Sequence, residues 1–367
     1  MGLTRKEYWY WLCNIHGIGM KKREALLAFC HDPEVLFGLG KQEMEGIAGI
    51  SGRDLVQIIS SRNEERIHKE YEQLQQKGIH FLTREDQEYP EKFNQLKDSP
   101  ECLYYKGVLP DLTKPVVSVV GARECSDYGA YYAREFAKEL SDAGVQIVSG
   151  MARGIDCMAH TGALRADTPT FAVLGCGVDV CYPPEKYQLY ETILAHGGVI
   201  SEYKPGTQPN PGFFPMRNRL IAALADVILV MEAKEKSGSL ITASIGLELG
   251  KDIFSLPGRI HDRNFAGCNE LIKMGAGLLN STEDVLDSLM QRYPFLACSF
   301  LKCNKKENLV LETEEKIVYS ILGLQPKHLN EVIEETHLPV QKVMELVLSL
   351  QLKGYIGQKG QNYYVRI

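Results

Sequence analysis

The sequence contains no apolar run long enough to span a bilayer. The N-terminus, Met1–Lys6, lacks the continuous apolar stretch and the small-residue cleavage site of a signal peptide. Its ten cysteines include no pair with the CxxC spacing of zinc and redox sites. Charged residues make up 24% and hydrophobic residues 44% of the 367 residues, a balance typical of soluble globular proteins. We therefore expect a cytoplasmic chain with reduced cysteines, no metal site and no membrane segment.

Two nucleotide-binding signatures are also missing. The pattern GxxxxGK[ST] of P-loop nucleotide hydrolases does not occur, and no GxGxxG fingerprint follows the first strand of the region that alternates strands and helices. The formal net charge is −6, so contact with nucleic acid requires a local basic patch rather than the field of the whole molecule. The sequence predicts no nucleotide cofactor and disfavours tight binding of duplex DNA.

Residues 111–292 alternate short apolar runs with helical patterns. The alternation is typical of an α/β fold with a doubly wound parallel sheet. In such a sheet the ligand crevice lies beyond the carboxyl ends of the strands. The runs predicted as strands are Val116–Gly121, Val145–Ser149, Thr170–Gly175, Val199–Glu202, Val227–Glu232 and Asp252–Leu256.

Smaller regions flank this predicted domain. Residues 1–110 look helical (SAM or helix-hairpin-helix-like), with a hairpin pattern at Ile15–Leu27 and a degenerate copy at Gly46–Gly52. Such hairpins either grip a nucleic-acid phosphate or simply pack as a helical or protein-docking domain. After a predicted linker at 293–312, residues 313–367 show the element order of a winged helix. Its third helix is poor in basic residues, which favours protein interaction over DNA reading.

Arginine residues recur where predicted strands turn into helices. Arg123 follows the first predicted strand, and Arg153 lies in the turn between Ser149 and the helix that begins at Ile155. Free backbone N–H groups at a helix start, supplemented by a guanidinium, suit a phosphate group. Either turn alone is equally compatible with tight packing. Because both would face one crevice, we interpret the pair as a phosphate-binding site.

Later segments add candidates to the same crevice. Lys186 begins a helix at its edge, and Arg217 and Arg219 lie at another helix start, where they are costly to bury unless they meet anions or acids. The segment Ser237–Ala243 opens a helix with hydroxyls that suit either capping or holding a phosphate group.

An enzymatic alternative rests on two glutamates. Glu202 and Glu232 end strands at the predicted crevice, where either could act as a base on a ribosyl bond. We interpret Asp156 as an ion-pair partner of Arg153, and His160 as a capping or core residue. A nucleotide-processing enzyme of the nucleoside-monophosphate N-glycosidase kind therefore stays open as the alternative function.

The assembled motifs resemble the DNA-processing protein A family (DprA, also called Smf). The resemblance covers the central domain from end to end, and the flanking domains match in order. The motifs are Gly121-Ala122-Arg123 with Ser126 and Tyr128-Gly129, Ser149–Asp156 with Ala159-His160, Val173–Gly175 with Asp179 and Tyr182-Pro183, Ser201–Tyr203, Phe214-Pro215 with Arg217–Arg219, Ser237–Ala243, and Leu256–Gly258 with Gly275-Ala276.

The resemblance implies a Rossmann-like central domain that binds single-stranded DNA and is not an enzyme. It implies a cytoplasmic protein of natural transformation that protects incoming single strands and loads the RecA recombinase, and that forms a homodimer through the central domain. Phe213 or Phe214 could stack a base, although both are expected in the core. The predicted strand-binding residues are Gly121, Arg123, Gly150, Arg153, Gly154, Lys186, Arg217, Asn218, Arg219, Ser237, Gly238 and Ser239.

Overall fold

The structure, a computed structural model, describes residues 2–166, 168–296, 313–323, 325–353 and 355–366. The chain divides into two compact units, Met1–Phe300 and Leu301–Ile367. Most of the linker predicted at 293–312 lies outside the described residues. No described helix has the length and apolar character needed to cross a bilayer.

The first unit begins with short helices, as the sequence predicts. Thr4 and Ser51 start two of them with capping boxes, in which a hydroxyl and an acid three residues later satisfy each other's backbone amides. The helices are α1 Arg5–Cys13, α2 Met20–Cys30, α3 Pro33–Gly38, α4 Lys41–Met44, α5 Gly52–Ser60 and α6 Glu64–Gln76.

The hairpin between α1 and α2 turns at Gly17, whose φ of +78° a side chain would disfavour. Two of the three cations that follow the turn are engaged within the unit. Lys22 Nζ lies 2.6 Å from Asp54 Oδ1, and Arg23 pairs with the buried Glu101. These ion pairs favour the packing alternative for the hairpin over a grip on phosphate.

A nine-stranded sheet forms the body of the first unit. Its order is β1-β2-β6-β5-β4-β3-β7-β8-β9, parallel from β6 to β9, with β1 and β2 added antiparallel at one edge. All six predicted strands are confirmed as β3 to β8. The strands are β1 His80–Thr83, β2 Cys102–Gly107, β3 Val116–Val120, β4 Gln146–Ser149, β5 Thr170–Val173, β6 Gly198–Ser201, β7 Val227–Val230, β8 Asp252–Ser255 and β9 Gly277–Leu278.

Helices cover this sheet. α7 packs against α8 and α8 against α9, whereas α10 packs against α11, as expected for a doubly wound fold. The strands between the helices are almost entirely buried, which explains their continuous apolar runs. The helices are α7 Asp127–Asp142, α8 Ile155–Arg165, α9 Tyr187–His196, α10 Phe213–Leu224, α11 Gly238–Glu248, α12 Ala266–Lys273 and α13 Thr282–Met290.

The sheet does not stop where the sequence places a domain boundary. β1 and β2 lie before residue 110 and pair into the sheet through β6, so residues 80–107 belong to the α/β body. The helical region and the sheet form one compact unit. The run Leu103–Gly107, whose pattern predicts a short strand entering the next domain, lies within β2.

The second unit has the predicted winged-helix elements. Three helices precede a β-hairpin and pack around a small core that includes Val318, Val332 and Val343. A short strand that the sequence did not reveal, β10, pairs with β12. The elements are α14 Thr313–Ile321, β10 Lys327–His328, α15 Leu329–Thr336, α16 Val340–Leu352, β11 Ile356–Gly360 and β12 Tyr363–Arg366.

Candidate nucleic-acid interface

The strand order of the sheet reverses between β3 and β7, and a crevice of about 280 Å³ opens beyond their carboxyl ends. This switch point is where doubly wound folds bind ligands. α10 and the start of α11 form its other wall. The predicted residues that line it are Gly121, Arg123, Arg217, Asn218, Ser237, Gly238 and Ser239.

A backbone hydrogen bond joins the two predicted turns, because Ile155 N donates to Ala122 O at 3.1 Å. Ala122 N donates to Glu232 O, just after β7, at 2.8 Å. Gly154 has a φ of +74°, and a side chain there would collide with the carbonyls of Ala122 and Arg123. A side chain at Gly121 would likewise meet Ile155 Cγ1 at 2.6 Å. These glycines therefore permit close packing of the turns.

The Ser149–Gly154 turn already holds an anion. The buried carboxylate of Asp156 accepts a hydrogen bond from Ala152 N at 3.3 Å, and the nearby polar groups of Ser149 and Gly150 lower its pKa. Burial raises the pKa of this carboxyl group, while Arg217 opposes the rise. The cradle predicted for a phosphate thus binds a side chain of the chain itself. Asp156 faces the charge of Arg217, not of Arg153 as the sequence suggested.

Arg217 is a buried cation at the floor of the crevice. It is 3% exposed, and Nη1 donates to Gly150 O at 2.6 Å and to Val173 O. Its Nε donates to Asn218 Oδ1 at 3.1 Å. A Cβ at Gly150 would lie 2.5 Å from the guanidinium carbon, so this glycine makes room for Arg217.

Arg123 is the exposed cation of the crevice. Its guanidinium carbon lies 4.8 Å from the ring centre of Phe214. The guanidinium carbon of Arg217 lies 5.9 Å from the same ring centre. Phe214 is half-buried and lines the crevice, whereas Phe213 stacks on Tyr203 at 4.3 Å. Phe213 is also half-buried, so the expectation that both phenylalanines lie in the core is wrong. The crevice therefore presents the Arg123 guanidinium beside the face of the Phe214 ring.

The start of α11 supplies hydroxyls and backbone amides. Ser237 is the N-cap residue, and its hydroxyl lies 2.7 Å from that of Ser239. The contact from Ser239 N to Ser237 Oγ is long, at 3.4 Å, and Gly238 is exposed. Asn218 Nδ2 donates to Gly238 O at 3.3 Å, which fixes this helix start against α10. The exposed amide of Gly238 at this helix start suits a phosphate oxygen.

Arg219 lies outside the crevice, in a cavity on the other side of α10. It is 4% exposed and donates to Asp98 Oδ2 at 2.8 Å and to Glu202 Oε2 at 2.6 Å. Successive residues on a helix point about 100° apart, so Arg217 and Arg219 face different sides. The structure thus does not bring Arg219 to the other predicted residues, because acids satisfy its charge.

Arg153 and Lys186 lie near the crevice but do not line it. Arg153 is exposed and pairs with Glu185, which also feels the charge of Lys186. The pKa of Glu185 is lowered, first by its hydrogen bond from Arg153. Tyr182, whose ring centre is 5.4 Å from that of Phe214, connects this charged group to the crevice.

The two glutamates of the enzymatic alternative do not line the crevice. Glu202 is buried against Arg219, and burial raises its pKa. Glu232 is fully buried, and its carboxylate accepts from Ser126 N and from Ser126 Oγ at the start of α7. His160 is a core residue, and burial lowers its pKa to about 3. Neither glutamate is placed to act on a ligand in the crevice.

Sequence reasoning missed several parts of the crevice. Asp156 was considered only as a partner of Arg153, and its position at the second residue of α8 is the signal that it could cap its own helix. Thr242, one turn into α11, and Pro211 before α10 also line the crevice. No described group of three or more His, Cys, Asp or Glu side chains could hold a metal ion.

The fold and crevice define a doubly wound α/β protein with an arginine-lined crevice, followed by a winged helix. A family model described as DNA recombination-mediator protein A matches residues 80–290, and a model described as the DprA winged helix domain matches residues 307–362. The first match spans more than half of the chain, so the chain belongs to the DNA recombination-mediator protein A (DprA/Smf) family. The resemblance drawn from the sequence is confirmed.

Similar proteins support this membership. Protein Smf of Synechocystis sp. is 37% identical over 293 residues, which cover 79% of this chain and 74% of that protein. The X-ray structure of DNA processing protein A from Streptococcus pneumoniae has a TM-score of 0.67 at 34% identity, covering 78% of this chain and 98% of that one. A structure of DNA processing protein A from Helicobacter pylori, described as giving insights into its single-stranded DNA binding mode, has a TM-score of 0.53 at 32% identity. The match covers 58% of this chain and 97% of that one.

Proposed function

We propose that this protein binds single-stranded DNA in the crevice and releases it chemically unchanged. One observation carries the proposal: an exposed arginine, a half-buried aromatic ring and a helix start with an exposed glycine meet at the switch point. Arg123 and the amide of Gly238 suit phosphate oxygens, and Phe214 suits the face of a base. Phosphate contacts with a stacked base bind unpaired strands without reading sequence.

The charge distribution supports single strands over duplexes. The net charge of the chain is −6, so attraction for polyanions must be local. The crevice presents one exposed guanidinium and is half-enclosed, which suits a strand whose bases can turn outwards. The Helicobacter pylori relative is described as binding single-stranded DNA, which supports the same activity for this chain.

The recombination role follows from family membership. We propose that the bound strand is incoming DNA of natural transformation, that the protein shields it, and that it delivers the strand to the RecA recombinase. We further propose a homodimer through the central domain. Exposed apolar side chains beside the terminal strand β9, among them Met274 at 71% and Leu278 at 49% exposure, support such an interface. Sedimentation at micromolar concentration should then give twice the mass of one chain.

The winged helix fits protein interaction better than DNA reading. The outward face of α16 presents Val340, Met344, Leu348 and Leu352, each more than half exposed. A helix that reads the major groove places cations and polar side chains there. We therefore propose that this unit contacts protein rather than DNA.

A gel-shift comparison tests the proposed function. We expect a single-stranded oligonucleotide to bind in preference to a duplex of the same sequence, with affinity falling as salt rises. Deleting the residues after Glu312 should leave this binding in place, because the crevice lies in the first unit. Equal affinity for duplex and single strand, or release of free base from nucleotides, would contradict the proposal.

Two substitutions in the ion pair beside the crevice should change the affinity for a single strand in opposite directions. Removing the carboxylate in Glu185→Gln releases Arg153 and Lys186 from a competing anion, so the strand should bind a few-fold more tightly. Arg153→Ala should weaken binding instead. Fluorescence anisotropy with a labelled oligonucleotide measures both, and Glu191→Gln on α9 serves as the control. If both variants bind the strand more tightly, or both bind it more weakly, this ion pair is not part of the binding surface.

A further inference from the structure

A half-enclosed cavity of about 290 Å³ lies between the helical region and the sheet, on the other side of α10 from the crevice. The end of α1, the start of α2, the segment that leads into β2 and the residues after β6 form most of its wall. The helix α10 completes the wall with Met216 and Arg219. The cavity is therefore distinct from the crevice, although the two share one helix.

The charged side chains of this wall are compensated within the chain. Each of them pairs with a side chain of opposite charge, so the cavity does not need an additional ion. An uncharged ligand is therefore the better match. The pairs are Arg23 with Glu101, Arg219 with both Glu202 and Asp98, and Lys204 with Glu70.

Two polar atoms of the wall lack a hydrogen bond even though their charges are compensated. Arg219 Nη1 and Glu101 Oε1 are buried and have no hydrogen-bond partner among the residues that the structure describes. The two side chains are only 4% and 2% exposed. Buried polar atoms of native proteins nearly always have a partner, because leaving one unpaired costs free energy. The wall thus lacks one acceptor for Arg219 and one donor for Glu101.

Aromatic and thioether groups supply the apolar part of the wall. Tyr104 and Tyr203 line the cavity, and Tyr203 is held by stacking on Phe213 at 4.3 Å. Met216 also lines it and is 40% exposed. Such surfaces suit a flat ring, since aromatic side chains stack on bases and the polarizable sulfur of methionine contacts rings favourably. The ligand that fits is planar and uncharged, and it carries both a donor and an acceptor.

We propose that this cavity binds a nucleobase, with Arg219 donating to a ring nitrogen or carbonyl oxygen and Glu101 accepting from a base N–H group. The four bases are uncharged planar rings whose edges offer donors and acceptors. The base belongs either to a free nucleoside or to a strand held in the crevice, because only the width of α10, about 10 Å, separates the two places. The second source rests on the proposed function, whereas the cavity itself does not.

Free deoxynucleosides test the cavity, because they lack the phosphate that the crevice is proposed to hold. Each of the four is titrated into the full chain by isothermal titration calorimetry, with deoxyribose as the probe that lacks a base. We expect saturable binding of at least one deoxynucleoside and none of deoxyribose. Arg219→Lys keeps a cation against Asp98 and Glu202 but removes the free guanidinium nitrogen. The deoxynucleoside affinity of this variant should fall at least about tenfold, the scale of one charge-assisted hydrogen bond.

Met216→Ala tests the same cavity without changing an ion pair, so it remains informative if Arg219→Lys does not fold. The base loses apolar contact, and its affinity should fall a few-fold. Met344→Ala, at a position 55% exposed on the winged helix, is the matched control and should change nothing. Failure of all four deoxynucleosides to bind would overturn the proposal, as would unchanged affinity in either cavity variant.

A labelled oligonucleotide identifies the source of the base. If Arg219→Lys and Met216→Ala weaken strand binding as well as nucleoside binding, the cavity takes a base of the strand. Unchanged strand binding in both variants indicates a free nucleoside instead. Arg123→Ala should weaken strand binding and leave nucleoside binding in place. Absence of strand binding would therefore contradict the proposed function alone, and absence of nucleoside binding would contradict the cavity alone.

Discussion

Replacing Arg217 by alanine is expected to lower the free energy of unfolding by about 3–5 kcal/mol, the cost of breaking a buried charge interaction by removing one partner. The change strips the carbonyls of Gly150 and Val173 of their donor and leaves the Asp156 carboxylate buried without its compensating cation. Chemical denaturation followed by circular dichroism measures the loss.

A second substitution separates the charge effect from lost packing. Asp156→Asn removes the carboxylate, so the double variant Arg217→Ala/Asp156→Asn should lose less stability than the sum of the two single changes. Additive losses would show that the two charges do not interact. Because Arg217 supports the fold, weaker DNA binding in Arg217→Ala would report stability as well as contact with the strand.

Replacing the exposed Arg123 by alanine should weaken single-strand binding by about 1.5–3 kcal/mol, the range for hydrogen bonds to charged groups. The side chain is exposed and its guanidinium lies over the ring of Phe214, so the unfolding transition should move little. The slope of log affinity against log salt should fall by about 0.7 if one phosphate contact is lost. Fluorescence anisotropy at several salt concentrations measures affinity and slope together.

Arg134→Ala is the matched control for this prediction. Arg134 also lies over an aromatic ring, with its guanidinium carbon 5.6 Å from the centre of Tyr131, but on α7 away from the crevice. Its replacement should leave strand binding unchanged. Arg123→Lys should retain part of the affinity, because it keeps the charge and loses the planar fork. If Arg123→Ala binds like the unmodified protein, Arg123 does not contact the strand.

Local sequence patterns predicted most of the α/β body. β-branched runs such as Val116–Val120 are buried on both faces of the sheet. Because a parallel strand buried on both faces is continuously apolar, it can be recognised in the sequence. Helix starts such as Ser237 were readable because a hydroxyl caps the first turn. The edge strand β1 was missed and β2 was placed before the boundary of the α/β domain, because antiparallel pairing with β6 links residues about one hundred positions apart.

The candidate site was predicted less completely, because the partner of a charged side chain is set by the fold. Arg219 pairs with Asp98, 121 residues away, and that pairing removes it from the crevice. Asp156 occupies the amides that the turn pattern offered to a phosphate. In both cases the residue type was identified correctly as needing an opposite charge, but only tertiary structure shows which charge it meets.

A crystal structure with a short oligothymidylate tests the central claim most directly. We expect a phosphodiester group in the crevice, with oxygens about 2.7–3.1 Å from the Arg123 guanidinium and from the amide of Gly238. The neighbouring base should lie against Phe214, and the strand should be intact. A strand bound elsewhere on the protein, with the crevice unoccupied, would contradict the account.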